Sequence, residues 1–196
     1  MSEKVDQLKM AMLEDKTTSG FWLYLMTDCI LFASLFAAYV VLHGNTAGGP
    51  SGADIFQMPT VLAETFILLT SSFACGVALL AMKQGKTKLM FGWLTFTYLL
   101  GVAFLTIELT EFGGLVAEGH SWQQSAFLSA FFTLVGTHGA HIFVGLVWLL
   151  VLSFVLFKRG LTEKLKRQFA LFGLFWHFLD VIWIFIFTVV YLMGAM

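Results

Sequence analysis

Lys83-Gln84-Gly85-Lys86-Thr87-Lys88 is a short basic turn set between two apolar stretches, residues 58–82 and 89–112. A spanning helix needs about 20 apolar residues. The segment therefore predicts two membrane helices joined by a basic turn. Working outward, the other basic residues fall into two more clusters. One is Lys4, Lys9 and Lys16; the other is Lys158, Arg159, Lys164, Lys166 and Arg167. Three further apolar stretches, 21–42, 122–157 and 169–193, complete five spans. Two polar gaps, 44–56 and 113–121, contain no Lys or Arg. All eleven basic residues can thus lie on one face of a membrane. By the positive-inside rule the N-terminus is expected in the cytoplasm and the C-terminus on the periplasmic side.

Composition points the same way. The chain is 59% hydrophobic and 12% charged, whereas soluble domains carry about 25% charge. The expected fold is all-α: a polytopic five-transmembrane-helix bundle over residues 20–196, preceded by a cytoplasmic segment at 1–19. The fourth span is long enough to tilt or project from the bilayer. The first follows a polar start with Glu3, Asp6, Glu14 and Asp15 and has no small-residue cleavage site, so it reads as a retained helix. Cys29 and Cys75 lie inside spans without a CxxC partner and read as small packing residues. No phosphate loop, nucleophile elbow or nucleic-acid patch occurs, and no nucleic-acid partner is expected. The Lys83–Lys88 charges suit lipid headgroups better than a nucleotide. Trp22, Trp93 and Trp122 fall near span ends and suit an interfacial belt. Trp148, Trp176 and Trp183 lie deeper and read as packing residues.

Ionisable side chains inside spans are costly and mark protein-facing or hydrated positions. Here they are Asp28, Glu64, Glu108, Glu111, His138, His141, His177 and Asp180. Counting at about 1.5 Å per residue from the basic clusters gives two depth layers. Asp28 and His177 form an inner layer; Glu64, Glu108, His138 and His141 form an outer one. His138/His141, His177/Asp180 and Glu108/Glu111 are i,i+3 pairs and share helix faces. A His pair with carboxylates can bind a metal or a haem, although the Glu-x-x-His of di-iron bundles is missing from the spans. The same residues can instead lock helices by hydrogen bonds or line a proton path. Ser129, Thr133 and Thr137 continue the His141 face, and Gly136 and Ala140 make a small-xxx-small surface beside it. From pattern alone all three readings stay open.

The segment 132–141, with Gly136-Thr137-His138-Gly139-Ala140-His141, resembles the Gly-x-His-Gly-x-His motif of the haem–copper oxidase subunit III family. Trp176-His177-Phe178-Leu179-Asp180-Val181-Ile182-Trp183 resembles its Trp-His-Phe-x-Asp-x-x-Trp motif, continued by Tyr191 and Gly194. Glu108-Leu109-Thr110-Glu111 resembles its Glu-x-x-Glu helix end. The likeness runs in order from about Gly20 to Met196. The five-helix form, the segment 21–32, the loop 45–50 and the ending 190–196 are similar to the bo-type ubiquinol oxidase branch.

The resemblance implies a bacterial inner-membrane subunit that is not an enzyme on its own. It implies that the eight ionisable residues are structural or lie at a lipid cleft, with no catalytic, cofactor-binding or metal-binding residue in this chain. Haems and copper are expected in the catalytic subunit. The implied partners are subunit I by direct packing, subunit II, a small subunit IV and bound phospholipid. The complex would oxidise ubiquinol, reduce O₂ and translocate protons. Asp28 stands where cytochrome c oxidase members carry a Glu in a Ser-Glu-x-x-Phe-Phe context, so the carboxylate is kept but is one methylene shorter. The equivalent subunit of a cytochrome c oxidase is a neighbouring reading, and a free-standing haem or di-metal membrane enzyme is one of a different class. A transporter would show paired, broken helices in an inverted repeat, and the chain has none.

Overall fold

In a computed structural model, long helices follow one another with short links. They are α1 (Ser2–Leu42), α3 (Met58–Lys83), α4 (Thr87–Ala117), α5 (Ala126–Arg159) and α6 (Glu163–Ile186). A one-turn helix, α2 (Gly52–Ile55), sits in the first long loop, and α6 runs on into a π-helical turn, Phe187–Leu192. The structure describes residues 2–194; the expected ending at Ala195 and Met196 lies outside them, as do the side chains of residues 2–15, with Glu3, Lys4, Asp6, Lys9, Glu14 and Asp15, and that of Asp54. Among the described residues five helices are long and apolar enough to cross a membrane: Lys16–Leu42, Met58–Lys83, Thr87–Ala117, Ala126–Arg159 and Glu163–Leu192. All five expected spans are present. α1 runs unbroken from Ser2 through residue 20, where the sequence suggested a boundary.

Local chemistry sets the helix ends. Pro59 starts α3, where a missing N–H is harmless. Gly85, at φ 71°, takes the left-handed conformation that turns α3 back into α4. The Ser125 hydroxyl accepts the Leu128 N–H at 3.1 Å and caps α5. Ser129 also donates to the Trp122 carbonyl, so Trp122 lies in the loop before α5 and not within the span. Thr162 caps α6 by accepting the Leu165 N–H at 3.3 Å. Because spans alternate in direction, the loops at 83–88 and 158–167 share one end, here the basic end. The loops at 43–57 and 118–125 share the other, the neutral end. Arg167 donates to the Thr18 hydroxyl at 3.3 Å and ties α6 to α1 at the basic end.

Large apolar side chains cover the outside, including Ile30, Val41, Phe73 and Phe157. Such a surface suits lipid, where helix association relies on close packing and not on hiding apolar area from water. Glycines provide the closeness. A Cβ on Gly101 would stand 2.8 Å from Leu146 and 3.0 Å from Trp176, and one on Gly145 would stand 2.9 Å from Trp176. The Trp176 ring is therefore seated between two glycines on α4 and α5. Cys75 is buried as expected, but Cys29 is exposed on the apolar surface. The small-residue contact on α5 also differs from expectation. Ala140 is exposed, while Gly136 faces Phe112 and Gly139 faces Glu108 on α4. Within the i−4 row of hydroxyls on α5, Thr133 serves its own helix by donating to the Ser129 carbonyl at 2.7 Å.

Candidate functional site: three polar groups within the bundle

The eight ionisable residues fall into three groups, not two layers. The first joins α1 to α5. Asp28 Oδ2 lies 3.8 Å from His141 Nε2, and Tyr24 is within hydrogen-bonding reach of the same carboxyl. The Phe32 ring covers His141 at 5.3 Å between centroids. His141 Nδ1 contacts the Thr137 carbonyl at 2.7 Å, so Nδ1 carries the proton and Nε2 is left to face Asp28. The depth count had separated Asp28 from His141. It measured His141 from Lys158 and Arg159, at the end of a helix of 34 residues. That helix overshoots a bilayer, so its basic end is no depth marker.

The second group joins α3 to α6. Ser72 Oγ and His177 Nδ1 are 2.7 Å apart, and Asp180 is within reach of the same hydroxyl. His177 and Asp180 are half-buried. They look into a groove of about 470 Å³ lined by Leu69, Phe73, Val77 and Leu80. Two tryptophans flank this motif in the core. Trp176 Nε1 donates to Ser71 Oγ at 3.1 Å, and Trp183 Nε1 donates to Thr65 Oγ1 at 3.1 Å. Sequence reasoning assigned these tryptophans only to packing. A signal was available: Trp176 and Trp183 are seven residues apart on α6, and Ser71 and Thr65 are six apart on antiparallel α3. Matched spacing of donors and acceptors is what a two-point lock requires.

The third group lies where α3, α4 and α5 meet. Glu64 and Glu108 are 1% and 4% exposed. Among the described residues no carboxyl oxygen of either has a hydrogen-bond partner, nor does either ring nitrogen of His138. A Cβ on Gly139 would lie 3.5 Å from Glu108, so the glycine makes room for the carboxyl. Glu111, one turn along α4, is within electrostatic range of both buried acids. His138 is enclosed by Trp183, Phe104 and Phe32, with ring centroids at 5.3, 6.0 and 6.4 Å.

Among the described residues no three His, Cys, Asp or Glu side chains converge as they would on a metal ion. His138, His141 and His177 belong to different groups, each with its own surroundings. The arrangement defines a class: a polytopic helical membrane protein whose sequence motifs sit at helix–helix junctions. The chain belongs to the cytochrome c oxidase subunit III family, which it matches over residues 7–195. It is 56% identical to the cytochrome bo(3) ubiquinol oxidase subunit 3 of Pseudomonas aeruginosa, over 92% of this chain and 86% of that one. The protein of the same name from Pseudomonas putida is 54% identical over 92% of this chain and 87% of that one. The cytochrome c oxidase subunit 3 of Bacillus sp. PS3 is 51% identical over 89% of this chain and 84% of that one. The chain is thus one subunit of an oxidase complex, and it is a multi-pass protein of the bacterial inner membrane.

Proposed function

We propose that this chain is the non-catalytic subunit III of a quinol oxidase, a complex that oxidises ubiquinol, reduces O₂ and translocates protons. The supporting observation is identity of 54–56% over 92% of the chain to two subunits named for bo(3) ubiquinol oxidase. The haems and copper belong to the catalytic subunit I, against which this chain packs, with subunit II and a small subunit IV completing the complex. Residues 1–19 lie in the cytoplasm, residues 20–196 form the membrane domain, and the C-terminus is periplasmic.

The eight ionisable residues have structural work in this reading. Asp28 and His141 hold α1 on α5, and Asp28 sits beside a phospholipid cleft facing subunit I. His177, Asp180 and Ser72 present a polar patch in an apolar groove. A polar patch facing hydrocarbon is costly unless a partner covers it, which favours this groove as a second contact face. The cytochrome c oxidase reading is favoured by one observation, the 51% identity to the Bacillus sp. PS3 subunit. Donors dock elsewhere in such a complex, so this chain carries little of that choice. The test is the donor specificity of the intact complex purified through this chain. Oxidation of ubiquinol and not of reduced cytochrome c supports the quinol reading; the reverse result replaces it.

A further inference from the structure

Glu64 and Glu108 present four carboxyl oxygens, all buried and none with a hydrogen-bond partner among the described residues. Leaving one such group unsatisfied costs about 1–3 kcal/mol. Among the described residues no neighbouring helix supplies a donor for them. One turn toward the neutral end, the same two helices line a cleft. Thr60 precedes Glu64 by four residues, Glu111 follows Glu108 by three, and both border a cavity of about 550 Å³ together with Tyr191. Gln57, Glu118 and His120 stand at its rim, and no Lys or Arg lines it. The cleft therefore leads from the neutral end to within one helical turn of the buried acids. Tyr191 bridges the two regions, bordering the cleft while within electrostatic range of Glu64 and Glu108.

The ligand is limited by chemistry. Among the described residues no three metal-ligating side chains converge here, so the donor set does not favour a coordinated cation. An apolar ligand would leave the oxygens unsatisfied. Water fits, because it donates two hydrogen bonds and typically bridges about three otherwise unpaired polar groups. We propose that Glu64, Glu108 and Glu111 form an internal water site filled from this cleft, through which the two buried carboxyls exchange protons with the aqueous phase at the neutral end. In each exchange a carboxyl O–H bond breaks as a water O–H bond forms, and a second water returns a hydron to the carboxylate. Net charge and oxidation state do not change. His138, next to Gly139 on α5, is walled by Phe104 and Trp183.

The inference is independent of the electron donor. Its test is infrared spectroscopy of the intact complex on transfer from H₂O to D₂O. Glu64→Gln and Glu108→Gln each remove one carboxylic C=O band and so assign it. Both bands shift to lower wavenumber within minutes if the site holds exchanging water. Bands that stay unshifted for hours, or no band lost from either variant, overturn the proposal. Thr60→Trp fills the cleft while leaving both acids in place and slows the exchange severalfold; exchange at the original rate overturns the cleft as the route. If a Gln variant fails to assemble, carbon-13 labelling of glutamate in the unaltered complex reads the same exchange.

Discussion

Trp183 and Glu108 are equally hidden inside the bundle, at 0% and 4% exposure, yet their polar atoms fare differently. The Trp183 N–H meets the Thr65 hydroxyl, and Trp176 repeats the contact with Ser71 two turns away. The Glu108 carboxyl lies against Gly139 and, like that of Glu64, has no hydrogen-bond partner among the described residues. The two tryptophan pairs of the α3–α6 seam are thus complete in protein alone, whereas the α3–α4–α5 junction holds more acceptors than the described residues have donors for. Matched polar pairs lock helices in register; unmatched ones mark where something other than this chain completes the structure.

The largest expected effect comes from breaking the complete seam at its centre. Trp176→Ala empties a cradle formed by Gly101 and Gly145 and frees the Ser71 hydroxyl. It should destabilise the subunit by about 3–5 kcal/mol, read as loss of this chain from the purified complex at lower denaturant. Gly145→Leu attacks the same cradle by overfilling and should cost about 1–3 kcal/mol or more. Equal retention of both variants would remove the cradle from the account.

The incomplete junction behaves in the opposite sense if it is dry. Glu108→Leu would then remove a buried unsatisfied acid and leave stability unchanged or improved. With water bound there, the same change strands that water and the Glu64 carboxyl, and costs about 1–3 kcal/mol. Denaturant resistance of the assembled complex separates the two signs. Asp28→Asn and Asp28→Leu divide the first group similarly. Asn keeps a polar partner for Tyr24 and His141 and should retain turnover and pumping. Leu should loosen α1 from α5 and shorten the active lifetime of the complex. Loss of pumping in an assembled Asp28→Asn complex would make Asp28 a proton carrier instead.

These groupings show what the sequence could and could not reveal. The five spans follow from where Lys83, Lys86, Lys88 and the 158–167 cluster interrupt apolar runs, because charge and hydrocarbon do not mix. Helix-sharing pairs such as His177 and Asp180 were visible from their i,i+3 spacing. Partners across helices were not, since counting along a helix gives height but not which neighbour a side chain meets. The count also failed for His141, because α5 is longer than a bilayer is thick. The small acceptors Thr65, Ser71 and Ser72 were passed over because a lone hydroxyl in a span usually bonds its own helix, as Thr133 does here.

The smallest expected effect tests the seam one bond at a time. Trp183→Phe keeps most of the ring but deletes the N–H to Thr65. It should cost about 0.5–1.5 kcal/mol, seen as a slight fall in denaturant resistance without loss of assembly. The orientation of the whole bundle is open to single-cysteine labelling in a background without Cys29 and Cys75. A cysteine at Asn45 should react only from the periplasmic side and one at Lys86 only from the cytoplasmic side; Asn45→Cys labelled only from the cytoplasm would invert the topology.

The central claim is that the motif histidines hold helices together and leave the redox chemistry to a partner. The complex purified through this chain, carrying His138→Ala, His141→Ala or His177→Ala, should retain its full haem and copper content and an unchanged visible spectrum for every variant that assembles, while its stability falls. Loss of one stoichiometric haem, copper or iron from an assembled complex on changing any of these histidines would contradict the account.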